Sequence, residues 1–314
     1  MGGFIKYLIT GGAGFIGSNL VNYLIDSSEK IIVVDNLITG NLENLENYSN
    51  STKFEFYSHD IQNHFEINEN IDYVIHLASC ASPFAYSNYP INTLKSGSIG
   101  TINALGLAKK HNAKFFLAST SEIYGDPEIS PQHEEYWGNV NTLGPRSMYD
   151  ESKRFAESAT QAYITSHGLK ANIARIFNTY GPNMVFNDGR VVTNFIYQAI
   201  NDKDITIYGD GTQTRSFSYI DDTINGIVKI LNYKSPDVFN IGNDEEVTIK
   251  DLAKKIILLT GSKSKIKFLD LPQDDPKQRK PDLSKAEKLL DYTPSITLDE
   301  GLKKTIEWFL ERYK

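Results

Sequence analysis

What the chain lacks narrows its function before any motif is read. Its 314 residues hold a single cysteine, Cys80, so no internal disulfide can form, and such economy fits a reducing, cytoplasmic compartment. Long apolar runs are missing too. Stretches such as Ile256-Ile257-Leu258-Leu259 are far too short to span a bilayer, and the N-terminus lacks the charged and apolar regions of a signal peptide. No membrane partner is therefore expected. There is no basic excess: 32 Lys+Arg stand against 39 Asp+Glu, a net charge of −7, which argues against a nucleic-acid surface. A small anionic ligand remains open, because a few placed cations and backbone N–H groups suffice to hold one. Internal repeats, low-complexity tracts and Gly/Ser linkers are absent. His76 has no second ligand at metal-binding spacing and reads as structural, and Cys80 reads as a small buried apolar residue.

What is present begins with a strand-like segment, Phe4 to Thr10, running straight into Gly11-Gly12-Ala13-Gly14-Phe15-Ile16-Gly17 and then an amphipathic helix from Ser18 to about Ser27. Glycines at 11, 14 and 17 suit a tight strand-to-helix turn whose backbone approaches a pyrophosphate, with the diphosphate on the free N–H groups of the helix start. A second strand, Lys30 to Val34, ends in Asp35. A carboxylate there accepts hydrogen bonds from ribose hydroxyls and repels a 2′-phosphate, which favours NAD over NADP. Further strands read at 54–57, 73–77, 114–118 and 174–177, with helical stretches between several of them. That alternation predicts an α/β, Rossmann-type, doubly wound parallel sheet. The expected division is a cofactor domain over residues 1–178 and about 214–240, with a smaller substrate domain over 179–213 and about 241–314. Asp60, after the third strand, either reaches the adenine or caps its loop.

Tyr149 and Lys153, four residues apart, share one face if helical. A lysine ammonium beside a phenol favours the phenolate and makes it a usable base, although the same spacing also occurs on plain solvated helices. The fifth strand ends in Ser119-Thr120-Ser121-Glu122, where residues line the ligand crevice of an open parallel sheet. Thr120 and Ser121 can also be read as caps, and Glu122 as an ordinary exposed carboxylate.

Several stretches carry a resemblance over essentially the whole chain: ITGGAGFIGSNL at 9–20, VVDNLITG at 33–40, HLASCASP at 76–83, LASTSEIYGDPEISPQHEEYWGNVN at 117–141, GPRSMYDESKRFAE at 144–157, ARIFNTYGPNMVFNDGRVVTNFI at 174–196, YGDGTQTRSFSYIDD at 208–222 and QDDPKQRKPDLSKA at 273–286. On these the chain resembles the extended short-chain dehydrogenase/reductases that act on nucleotide sugars, and among them the UDP-glucuronate decarboxylases. The glycine and Tyr/Lys motifs mark only the superfamily; Thr120-Ser121-Glu122 and Arg279-Lys280-Pro281-Asp282 are more selective. Related 4,6-dehydratases usually carry Thr-Asp-Glu in the first of these, and 4-epimerases usually lack the glutamate.

The resemblance implies that NAD is held by Gly11, Gly14, Phe15, Ile16, Gly17, Asp35, Asn36, Thr39, Gly40, Asp60, Ile61, Leu77, Tyr149 and Lys153. It implies Tyr149, lowered in pKa by Lys153 and bound NAD, as the base at the sugar C4 hydroxyl, with Thr120 on the same oxygen. Ser121 and Glu122 would orient the carboxylated ring, and Arg279 would face the carboxylate or assist protonation at C5. Lys95, Asn103, Tyr149, Asn178, Asn194, Tyr208, Gln213, Arg215 and Arg279 would contact the UDP-sugar, Asn178 alternatively just ending its strand. Two departures stand out: Ser96-Gly97 replaces the usual Thr-Asn, and Cys80 replaces a usual proline. Plant UDP-apiose/xylose synthases have cysteine one position later than Cys80 and again in place of Ser121, so a ring-contracting activity is a further alternative beside 4,6-dehydration and 4-epimerisation. The superfamily also implies a homodimer packed through helices near 92–111 and 148–166.

Overall fold

In a computed structural model that describes residues 5–186, 188–270 and 278–313, the strands expected from sequence assemble into one sheet. Phe4 of the first expected strand and residues 273–277 of the last motif lie outside the described residues. Strands β1 (Lys6–Thr10), β2 (Lys30–Asp35), β3 (Phe54–Ser58), β4 (Tyr73–His76), β5 (Lys114–Thr120) and β6 (Ala171–Ile176) pair in parallel. Short strands follow: β7 (Thr179–Tyr180), β8 (Ile205–Tyr208), β9 (Thr214–Ser216), β10 (Ser218–Tyr219), β11 (Asp237–Ile241), β12 (Glu246–Thr248), β13 (Ile266–Leu269) and β14 (Gln278–Arg279).

The seven-stranded order is β11-β6-β5-β4-β1-β2-β3, so the winding reverses between β1 and β4. At such a switch point the crevice opens beyond the carboxyl ends of the strands. Uninterrupted Ile/Val runs such as Lys30-Ile31-Ile32-Val33-Val34 suit strands covered on both faces. Alternate residues enter opposite cores, as the period of two requires. Ile9, Val33 and Ile75 pack with Leu20, Val21 and Leu24 of the helix Phe15–Leu24. Leu8, Ile32 and Val74 pack with Ala104 and Leu105 of the helix Thr101–His111.

Three details differ from the sequence reading. The first helix starts at Phe15 rather than Ser18, because Gly14 itself serves as N-cap. The helix expected over 92–111 is broken into Pro90–Lys95, a π turn Ser96–Gly100 and Thr101–His111. Residues 214–216, assigned to the cofactor half, join instead a separate sheet, β12-β9-β14, while β11 extends the main one. In that small sheet Arg279 of β14 sits in register with Arg215 of β9, so both side chains leave the same face. Among the described residues no helix is long and apolar enough to cross a membrane, and no group of three or more His, Cys, Asp or Glu is placed to hold a metal ion.

Candidate active site

β5 ends at Thr120, and a single 3-10 turn, Ser121–Tyr124, follows it into the crevice. Thr120 sets that turn, its hydroxyl accepting from Glu122 N–H at 3.2 Å, and Gly125 closes it at φ 64°, a left-handed conformation that favours glycine. Opposite stands the helix Ser147–His167, which carries Tyr149 and Lys153 one turn apart on its buried side. The Lys153 ammonium donates to Ala118 carbonyl of β5 at 2.7 Å and lies 5.9 Å from the Tyr149 ring centre. The Thr120 hydroxyl acts on the Tyr149 phenol in the direction that favours its ionised form. Tyr86, from the helix Pro83–Asn88, stacks on the Tyr149 ring with centroids 5.4 Å apart and planes 14° apart. The ring therefore has little room to rotate.

Glu122 holds the other half of the site. One of its oxygens is bound by Arg279 and the other by Arg146. Burial opposes ionisation of Glu122, but the two guanidinium groups outweigh it and hold the carboxyl below its usual range. Tyr149 shows the reverse balance. Burial pushes its phenol above the ordinary value, and the Thr120 hydroxyl and Arg190 only partly offset that. The Lys153 ammonium donates to Ala118 carbonyl and is itself pushed down to about 8 by burial, with Glu157 opposing.

The chain's own groups fit a dinucleotide. The helix Phe15–Leu24 has no side-chain cap and no acidic residue in its first turn, so its N-terminal N–H groups face the crevice. A Cβ at Gly11 would lie 2.6 Å from Ala78 N, and one at Gly17 2.6 Å from Gly12 Cα, so only glycine allows this turn. Asp35 closes β2, accepting from Leu37 N–H at 2.8 Å and Ala13 N–H at 3.1 Å, while burial pushes its carboxyl up against those bonds.

One cleft of about 1360 Å³ gathers nearly every residue expected from sequence. Gly11, Gly14, Phe15, Ile16, Gly17, Asp35, Asn36, Thr39, Gly40, Asp60, Ile61 and Leu77 line one end; Thr120, Ser121, Glu122, Tyr149 and Lys153 line the middle; Asn178, Asn194, Tyr208, Gln213, Arg215 and Arg279 line the rest. Two expected residues do not join them. Lys95 is exposed outside the cleft, and the Asn103 side chain donates to Ile61 carbonyl at 2.8 Å, holding a wall of the cleft rather than facing into it. The π turn between them changes the helical phase, which a uniform helix would not predict. Arg146, Tyr86 and Arg190 line the cleft but were not singled out from sequence. Arg146 had a usable signal: it lies one helical turn before Tyr149.

Comparison with known proteins follows this geometry. The family model described as GDP-mannose 4,6 dehydratase matches residues 8–305. UDP-glucuronic acid decarboxylase 1 of Xenopus tropicalis is 49% identical over 304 residues, 97% of this chain and 72% of that protein. UDP-glucuronic acid decarboxylase 3 of Arabidopsis thaliana is 46% identical over 299 residues, 95% of this chain and 87% of that one. The solved UDP-glucuronic acid 4-epimerase from Bacillus cereus, in complex with UDP-glucuronic acid and NAD, superposes with a TM-score of 0.87 at 30% identity, covering 98% of this chain and 100% of that one. The chain belongs to the nucleotide-sugar family that the GDP-mannose 4,6 dehydratase model describes and, within it, to the UDP-glucuronic acid decarboxylases.

Proposed function

We propose that this chain converts UDP-glucuronate to UDP-xylose and CO₂ with NAD as cofactor. The observation that carries the reading is the Glu122–Arg146–Arg279 cluster opening on the same cleft as Thr120, Tyr149 and Lys153. A base for an alcohol and cations for a carboxylate thus meet in one cleft. NAD, which the Gly11–Gly17 turn, the start of the helix Phe15–Leu24 and Asp35 would hold, would supply reversible hydride exchange with sugar C4. Tyr149 removes the proton of the C4 hydroxyl, and Thr120 holds the same oxygen. Oxidation there places a ketone β to the C5 carboxylate. When CO₂ leaves, its bonding pair passes into an enolate on the C4 oxygen, where the Tyr149 and Thr120 hydroxyls donate to the developing charge. The enolate then takes a proton at C5 from a solvent water, which leaves as hydroxide, and Tyr149 returns to the C4 oxygen the proton it removed. Arg146 and Arg279 hold the carboxylate end of the sugar, while Arg215, in register with Arg279, suits the diphosphate.

The test is incubation of the protein and NAD with UDP-glucuronate, with the products read by mass. A UDP-sugar lighter by one CO₂ is expected; turnover of uncarboxylated UDP-glucose instead would sink the reading. Tyr149→Phe should bind NAD and lose turnover by at least about 100-fold, the scale of a lost general base.

The lone Cys80 supports a reducing, cytoplasmic setting. Apolar side chains left exposed on the helices Pro90–Lys95 and Ser147–His167 support a homodimer paired through them.

A further inference from the structure

Glu157 is a buried carboxylate that the chemistry above does not use. It stands one helical turn beyond Lys153 on the helix Ser147–His167, with its side chain 15% exposed. Its Oε1 accepts from the Ser119 hydroxyl at 2.5 Å and from Arg175 Nε at 3.0 Å, and its Oε2 accepts from Arg175 Nη2 at 2.7 Å. Ser119 and Arg175 are register partners on β5 and β6, so both side chains leave the same face of the sheet toward that helix. Arg175 is held elsewhere too, its Nη1 donating to the Tyr124 hydroxyl at 3.0 Å and to Glu134 carbonyl at 2.7 Å.

A buried ion pair would need Arg175 alone. The bond from Ser119 adds something different, because it ties the helix to the last residues of β5. Ser119 lies between Ala118, whose carbonyl takes the Lys153 ammonium at 2.7 Å, and Thr120, which acts on the Tyr149 phenol. Both contacts between the strand and the catalytic helix thus flank the residue that Glu157 grips. The ladder with β6 ends at Thr120, where the 3-10 turn begins, so strand pairing does not hold this end from beyond.

We propose that Glu157 is a positioning residue: through Ser119 it holds the end of β5 against the helix Ser147–His167, keeping Ala118 carbonyl on the Lys153 ammonium and Thr120 across from Tyr149. This rests on the reading of Tyr149 as the site's base and Lys153 as its cation. Loosening the grip draws Ala118 carbonyl away, and an ammonium that loses an acceptor gives up its proton at lower pH. Burial already pushes Lys153 down to about 8, with Glu157 opposing, so the change falls in the working range. The surrounding groups come from several elements. Tyr149 shares the helix, His76 faces Lys153 from β4, and Glu122 acts on Tyr149 from the turn after β5. Arg175 of β6 is bound to Glu157 itself. On the packed helices Pro90–Lys95 and Thr101–His111, Lys95, Lys109 and Lys110 are exposed and His111 stands outside the cleft. Removing the Ser119 hydroxyl alters the charge of none of them.

Ser119→Ala therefore breaks the grip with the Glu157–Arg175 pair left in place. The experiment follows it in NAD-loaded protein by two readouts. One is carbon NMR titration of Lys153 Cε without sugar, the signal assigned by its loss in Lys153→Arg; the other is kcat and KM for UDP-glucuronate against pH. Lys153 should titrate lower by about half a pH unit, and the alkaline limb of kcat should move down with it. kcat should fall on the order of tenfold, with KM changed by less than about twofold. In Glu157→Asp, which keeps the charge but is a methylene short of Ser119, adding Ser119→Ala should cost nothing further. Ser119→Ala with the wild-type titration and kcat overturns the inference, as does one that costs as much on Glu157→Asp as on the wild-type chain. A lowered Tm with both profiles unmoved would make Glu157 a partner for Arg175 only, and overturns it equally. Failure of the functional reading looks different: the wild-type chain would release no CO₂ from UDP-glucuronate, while the Lys153 titration would still read the grip.

Discussion

Glu122 is held by charge rather than by solvent, and that fixes what the loss of a partner costs. Its side chain is 13% exposed, and both oxygens are taken by guanidinium groups. Removing one partner of a buried ion pair costs about 3–5 kcal/mol, because the other charge stays uncompensated. Arg279→Ala is therefore expected to lower the unfolding free energy by about 3 kcal/mol in urea denaturation, and Arg279→Lys to recover only part of it, since an ammonium lacks the planar fork. A loss under about 1 kcal/mol would mean that Arg146 alone suffices. His76 adds a pH dependence of its own. Its ring bridges Thr10 Oγ1 at 2.7 Å and Thr101 Oγ1 at 3.1 Å, and burial pushes its pKa down to about 3, with the Lys153 charge adding to the effect. The folded value lies below the unfolded one of about 6.5, so on acidification the unfolded chain binds the proton first. Stability is complete above about pH 6.5 and falls toward about pH 3 by about 1.4 kcal/mol per unit. His76→Gln should flatten that limb of a Tm-against-pH curve; an unchanged curve would assign the acid lability elsewhere. At this scale the sequence was most legible where chemistry is local. Tyr149 and Lys153 announce themselves by spacing, and Asp35 by the strand it ends. Tyr86 does not, because the Tyr149 ring it stacks on lies beside it only after folding.

Long elements were readable and short ones were not, for a physical reason. Runs such as Lys30–Asp35 carry their own β-branched signature, whereas β9 and β14 are held by their partners and have no pattern of their own. The helix pair that frames the active site shows the same limit. The resemblance implies a helix near 92–111, yet the π turn Ser96–Gly100 interrupts it where the helix Ser147–His167 comes close. A Cβ at Gly97 would lie 2.7 Å from both Cβ and Oγ of Ser152, one residue before Lys153. The departure from the usual asparagine at 97 is thus matched by a side chain filling that space from the facing helix. Gly97→Asn is expected to destabilise by about 1–3 kcal/mol through overpacking. Adding Ser152→Gly should restore most of that loss, giving a coupling energy of about 1 kcal/mol or more in a double-mutant cycle of thermal melts. Additive effects would show that the two helices do not meet as described.

The outer side of these same helices bears on the molecule as a whole. Ile91 is 59% exposed, and Leu94, Ile99, Ile102 and Phe155 also stand in solvent, although most lie on helices whose inner faces are buried. Apolar surface gathered on one side of a molecule marks an interface. The homodimer proposed above would cover it by symmetry, because a two-fold axis pairs a patch with itself and needs no separately shaped partner. Sedimentation is expected to give twice the 35.3 kDa chain mass at micromolar concentration. Phe155→Glu would place two carboxylates, one from each copy, in the interface, and should shift the protein to monomer. The helix that presents Phe155 outward holds Tyr149 and Lys153 inward, so the monomer should also lose turnover while its cleft residues are unchanged. A wild-type chain that sediments as a monomer would remove the second copy as occupant of this face, and a Phe155→Glu dimer would move the contact elsewhere on the surface.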